Sequence, residues 1–77
     1  MYIVLRDEKP LSEFWNEAAG EHLLYEGDNI TVFPTRVAAR KTLKRTNKYS
    51  NERDLSWHTW PTKIVPLVDY FFSMKET

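Results

Sequence analysis

Leu11-Ser12-Glu13-Phe14-Trp15-Asn16-Glu17-Ala18-Ala19-Gly20 is the stretch that decides how much of this chain is helix and how much is sheet. Leu11, Phe14, Trp15, Ala18 and Ala19 fall at i, i+3, i+4, i+7 and i+8, the spacing of an amphipathic helix. Ser12 would cap that helix and Gly20 would end it. The same residues also admit a strand through Glu13-Phe14-Trp15-Asn16 followed by a loop. The periodicity favours a short helix over residues 11–19, near the N-terminus. Sheet is then left to residues 2–6, 30–33 and 62–68.

The flanking segments read more simply. Tyr2-Ile3-Val4-Leu5 is a β-branched and aromatic run that hardly alternates, as a strand buried on both faces does. It stops at the charged segment Arg6 to Lys9 and at Pro10. Glu26-Gly27-Asp28-Asn29 has the composition of a turn. Ile30-Thr31-Val32-Phe33 reads as a second strand, ended by Pro34. Ile64-Val65-Pro66-Leu67-Val68 reads as a third. Pro66 cannot donate a ladder hydrogen bond, so that strand belongs on an edge or is interrupted there.

Residues 36–50 give the plainest helical pattern. Thr35 is a good N-cap. At 100° per residue, Ala39, Thr42, Leu43, Thr46 and Tyr49 share one face. Arg40, Lys41, Lys44, Arg45 and Lys48 lie on the opposite face, with Arg36 at its edge. The expected fold is therefore α+β in a single domain, 1–77. A small, mainly antiparallel sheet of about three strands packs on one basic amphipathic helix. Leu5, Val32, Phe33, Leu43, Ile64 and Leu67 are the expected core.

The charges are sorted along the chain. Residues 1–29 carry Asp7, Glu8, Glu13, Glu17, Glu21, Glu26 and Asp28 against Arg6 and Lys9, whereas residues 30–51 carry six bases and no acid. The formal net charge of zero hides this split. A basic face about 20 Å long can follow a phosphate backbone or an acidic protein groove. The alternative is an ordinary solvated face, partly paired with the acidic segment.

Other chemistries find little support. There is no Cys, so disulfides and thiolate metal sites are excluded. His22 and His58 stand alone, without metal-ligand spacing, and read as structural. Ser56 lies near His58 and Asp54, but sequence neighbours do not make a triad. With two Gly in the chain there is no Gly-rich phosphate loop. The chain reads as non-enzymatic, without cofactor or metal. It lacks a basic leader and any apolar run of roughly 18 residues, so it is expected in the cytoplasm rather than in a membrane. Trp15, Trp57, Trp60 and Phe14 can stack bases, but a small cysteine-free domain needs such rings for its core. Tyr70, Phe71, Phe72 and Met74 either close over that core or form an interface, with a homodimer as one outcome.

Three patterns carry a resemblance: Phe14-Trp15-Asn16, the run Ile30 to Arg36 leading into Ala38-Ala39-Arg40, and Ile64-Val65-Pro66-Leu67. In these the chain resembles small uncharacterised proteins encoded in phage and prophage accessory regions. The resemblance implies an accessory role, binding and modulating a host machine. It assigns no site residues. The expected partner is an anionic macromolecule, either a host nucleic-acid-handling complex or nucleic acid itself, contacted through Arg36, Arg40, Lys41, Lys44, Arg45 and Lys48.

Overall fold

A computed structural model describes residues 1–27, 29–56 and 59–75, the last three of them as backbone. Asp28, Trp57 and His58, and the side chain of Met74, lie outside the described residues. The elements are β1 (Tyr2–Arg6), β2 (Lys9–Asn16), β3 (Glu21–Glu26), α1 (Arg36–Glu52), β4 (Thr62–Pro66) and α2 (Leu67–Lys75). The strands pair antiparallel in the order β3-β2-β1-β4. The class is α+β, with four strands among the described residues. The second helix follows β4 instead of lying near the N-terminus.

Residues 11–19 correct the helical expectation: Leu11–Asn16 is strand, in register with Glu21–Glu26. Phe14 and Trp15, which made the helical stripe, are about half exposed, while Leu11 and Ser12 are buried. Aromatic residues suit a pleated surface, and Leu23-Leu24 supplies a partner strand that local periodicity cannot reveal. Gly20 does not cap a helix. With φ +68° it takes the left-handed position that closes the β2–β3 turn. There the Asn16 side chain accepts from the Ala19 N–H (2.9 Å) and its carbonyl from the Gly20 N–H (2.8 Å).

The β1–β2 hairpin turns through Asp7 and Glu8, at φ 52° and 66°. Positive φ at both central positions matches the twist of the flanking strands. Beyond the turn, the pairing of these strands covers only Leu5↔Pro10 and Arg6↔Lys9. Residues 31–33 fill the gap that opens. The Thr31 N–H donates to the Leu11 carbonyl (3.3 Å) and the Thr31 hydroxyl accepts from the Glu13 N–H (2.7 Å). Phe33 exchanges two 2.8 Å backbone bonds with Tyr2. The segment expected to be a strand is thus a wedge with a single bridge at Phe33. A wedge buries one side chain firmly: Phe33 is buried, whereas Val32 is exposed and leaves the expected core.

β4 lies on the sheet edge and ends at Pro66, as a strand proline requires. Pro66 stands opposite Tyr2, whose N–H and C=O are turned away to Phe33, so the missing donor breaks no ladder bond. The expected strand 62–68 is shortened because Leu67 and Val68 begin α2, and the Leu67 N–H bonds to the Met1 carbonyl (2.9 Å).

Thr35 is extended and its hydroxyl accepts from the Ala38 N–H (3.1 Å), capping α1. The helix runs two residues past the expected end. It closes in a Schellman arrangement, with Leu55 N–H on the Ser50 carbonyl (2.8 Å) and Asp54 N–H on the Asn51 carbonyl (3.3 Å). Asp54 occupies the left-handed position there, at φ 57°.

Val4, Leu11, Leu24, Phe33 and Ala39 form the core, with Ala38, Leu43 and Ile64 packed against it. Leu5 is buried as expected, and Leu67 is half-buried. α1 also protects the free edge of β3. The Leu24 N–H points away from β2 and donates to the Thr46 hydroxyl (2.9 Å), which donates in turn to the Thr42 carbonyl (2.9 Å).

Candidate anion-binding face

α1 buries Ala39, Thr42, Thr46 and Ser50. At 100° per residue these centre one face, so Val37, Arg40, Lys41, Lys44 and Lys48 are turned outward. All five are exposed. The six cations expected at the interface divide into two groups. Arg36 is held at the sheet: its Nη1 donates to the Ile64 carbonyl (3.3 Å), and its guanidinium lies 4.9 Å from the centre of the Tyr2 ring. Arg45 places Nε 3.6 Å from a Glu21 oxygen and Nη2 3.3 Å from the Thr42 hydroxyl. Lys48 approaches Glu52 at 3.9 Å, an exposed i,i+4 contact that holds it weakly. Arg40, Lys41 and Lys44 have no carboxylate within ion-pair distance among the described residues.

The placement of the acids accounts for part of this division. Glu8 pairs with Lys63 (2.7 Å), Glu13 with His22 (3.5 Å) and Glu26 with Lys9 (3.9 Å). Among the described residues, Glu21 is the member of the acidic N-terminal segment that forms an ion pair with the helix. Glu13, Glu17 and Glu21 would form a stripe only on a helix. On β2, the turn and β3 they diverge, so the basic face is neutralised at one margin.

Sequence reasoning passed over two further cations. Arg53 lies 4.4 Å over the Tyr49 ring, beside Lys48 and Arg45 in a cleft of about 260 Å³ that also contains Glu21 and Glu52. The four-residue step from Tyr49 to Arg53 is the signal that could have shown it. Arg6 ends β1 as a buried residue and donates to the Leu24 carbonyl (3.5 Å). Burial pulls its guanidinium below the usual range, while Glu26 and then Tyr25 act in the opposite sense. Arg6 belongs to the frame and not to the basic face. Nothing in a strand-ending Arg–Asp–Glu–Lys run marks its first member as buried.

Among the described residues, no group of three or more His, Asp or Glu side chains is placed to hold a metal ion. His22 packs edge-on against Trp15, with ring centres 5.3 Å apart. The Ser56 carbonyl accepts from Thr59, and His58 lies outside the described residues. No helix is long and apolar enough to cross a membrane among the described residues. Of the residues expected at an apolar interface, Tyr70 is half-buried, while Phe71 and Phe72 are more than half exposed. Comparison with models of protein families, with curated proteins and with solved structures finds no match.

Proposed function

We propose that this protein is a small non-enzymatic binding protein that seats the outer face of α1 on the phosphate backbone of a nucleic acid. The resemblance to phage accessory proteins suggests host modulation in the bacterial cytoplasm as its setting. The reading rests on one observation: residues 36–48 carry six cations, of which Arg45 and Lys48 meet a carboxylate (Glu21 and Glu52), while Arg40, Lys41 and Lys44 have none within ion-pair distance among the described residues. Like charges at i and i+4 cost an isolated helix roughly 0.2–0.5 kcal/mol per pair, and Arg40, Lys44 and Lys48 make two such pairs. An anionic partner removes that cost. Four-residue steps rise about 6 Å along the helix, close to twice the ~3.4 Å phosphate rise of one strand. This spacing is compatible with a regular polyanion.

The test is the charge-reversed pair Arg40→Glu and Lys44→Glu. Both side chains are exposed, so the double variant should fold like wild type, and it should lose binding to duplex DNA, single-stranded DNA and RNA at low salt. Wild-type binding by the double variant overturns the basic-face reading. If wild type binds none of the three polymers, nucleic acid is excluded and an acidic protein surface takes its place as the partner.

A further inference from the structure

The helix that follows β4 leaves much of its apolar surface uncovered. α2 is LVDYFFSMK, and it packs on the fold through β4. At 100° per residue, half-buried Leu67 and Tyr70 face inward, and Phe71, Val68 and Phe72 follow one another around the outer side. Val68 is 57% exposed, Phe71 54% and Phe72 61%. Met1, 73% exposed, joins them, because its carbonyl accepts the Leu67 N–H and holds it beside the first turn. Met1, Leu67, Val68 and Phe71 line an apolar depression of about 320 Å³. A helix that is apolar around most of its circumference is normally buried.

From this we infer that α2 is the contact surface of an isologous dimer, in which the patch formed by Met1, Val68, Phe71 and Phe72 packs on the same patch of a second copy. Three properties favour a second copy. The four patch side chains are uncharged, and the charges at the patch margin, the exposed Asp69 carboxylate and the Met1 ammonium, are of opposite sign. The formal net charge is zero, which removes the overall repulsion that keeps identical molecules apart. The area also suits a weak dimer. The exposed parts of these residues amount to roughly 400–500 Å² per copy, given ~150–250 Å² for a whole aromatic side chain. Two copies would bury at most about 800–1,000 Å², the size of a weak, transient interface. The dimer is therefore a weak one, with a dissociation constant on the order of tens of micromolar. It does not depend on the nucleic-acid reading of α1, although it would present two basic helices to one polymer.

Sedimentation equilibrium over micromolar to millimolar protein tests the inference. Wild type should pass from monomer to dimer. Val68→Glu with Phe71→Glu should stay monomeric, its dimerisation weakened by about 100-fold or more. Arg40→Glu with Lys44→Glu should dimerise like wild type, which keeps this result separate from that of α1. Since the chain has no Cys, a cross-link provides a second reading that needs no disruptive change. Val68→Cys should give a disulfide-linked dimer on mild oxidation, and Lys48→Cys, near the other end of α1, should not. A monomer at every concentration overturns the dimer, as does unchanged dimerisation of the Val68/Phe71 variant. So does flotation of a monomeric wild type on anionic lipid vesicles that the same variant abolishes, since the patch then faces a membrane surface.

Discussion

Thr46→Val should destabilise this protein by about 2 kcal/mol, within the roughly 1–3 kcal/mol expected when a buried donor loses its partner. Thr46 is fully buried, and its hydroxyl accepts the Leu24 N–H at 2.9 Å while donating to the Thr42 carbonyl at 2.9 Å. Valine fills almost the same volume, has similar helix propensity and adds no strain. The change therefore isolates one oxygen atom. Without it the Leu24 N–H remains in a buried site between β3 and α1, with no other acceptor supplied by the substitution. A 77-residue domain has a total stability of about 4–12 kcal/mol at the usual per-residue values, so the loss is a large share of it. At ~4–8 °C per kcal/mol, the melting temperature should fall by about 8–16 °C. Thr46→Ser keeps the hydroxyl and removes a methyl group, and it should cost about 1 kcal/mol. The assay is urea unfolding followed by tryptophan fluorescence, repeated by circular dichroism, with the m-value unchanged. If Thr46→Val is as stable as wild type, or costs less than Thr46→Ser, the hydroxyl does not hold the β3 edge and the stated role of α1 is wrong.

The ends and the margin of α1 can be perturbed in the same way. Thr35→Ala removes the acceptor of the Ala38 N–H and should cost about 1 kcal/mol in the same unfolding assay. Asp54→Gly places glycine where φ is 57° and should stabilise by about 0.5–1 kcal/mol; a loss of stability would mean that the Asp54 side chain has a structural role of its own. Glu21→Gln releases Arg45 from its carboxylate. In fluorescence anisotropy with labelled duplex DNA, it should tighten binding and steepen the salt dependence by up to about one unit of log–log slope. Unchanged binding would place Arg45 outside the contact.

How far the sequence revealed this fold depended on whether each signal was local. The Thr35 cap, the buried face of α1 and its basic face are helix properties, written at fixed spacing within one segment. The Pro66 edge strand was also readable, because a missing donor restricts a strand wherever it lies. The segment 11–16 was not, since Leu11, Phe14 and Trp15 satisfy a helical period by chance. Their cross-strand neighbours, Glu26, Leu23 and His22, become visible only once the Asn16–Gly20 turn brings two strands together. Ile30 to Phe33 has strand composition, and nothing in it shows that two diverging strands would leave room for it. The candidate site divides in the same way. That Arg40, Lys41 and Lys44 point outward follows from the sequence. That Arg36 and Arg45 are engaged, by Ile64, Tyr2 and Glu21, depends on tertiary neighbours. The apolar patch was half visible: Phe71 and Phe72 stood out, whereas Val68 and Met1 joined them only when α2 formed and the Leu67 N–H bonded to the Met1 carbonyl.

Contact between the outer cations of α1 and phosphates is tested most directly by the salt dependence of duplex binding. With Arg40, Lys41, Lys44 and the weakly held Lys48 as contacts, a plot of log K against log salt should have a slope of about −3 to −4. The Arg40→Glu and Lys44→Glu variant should show no measurable binding under the same conditions. A slope near zero, or a variant that binds with the wild-type slope, would contradict the account.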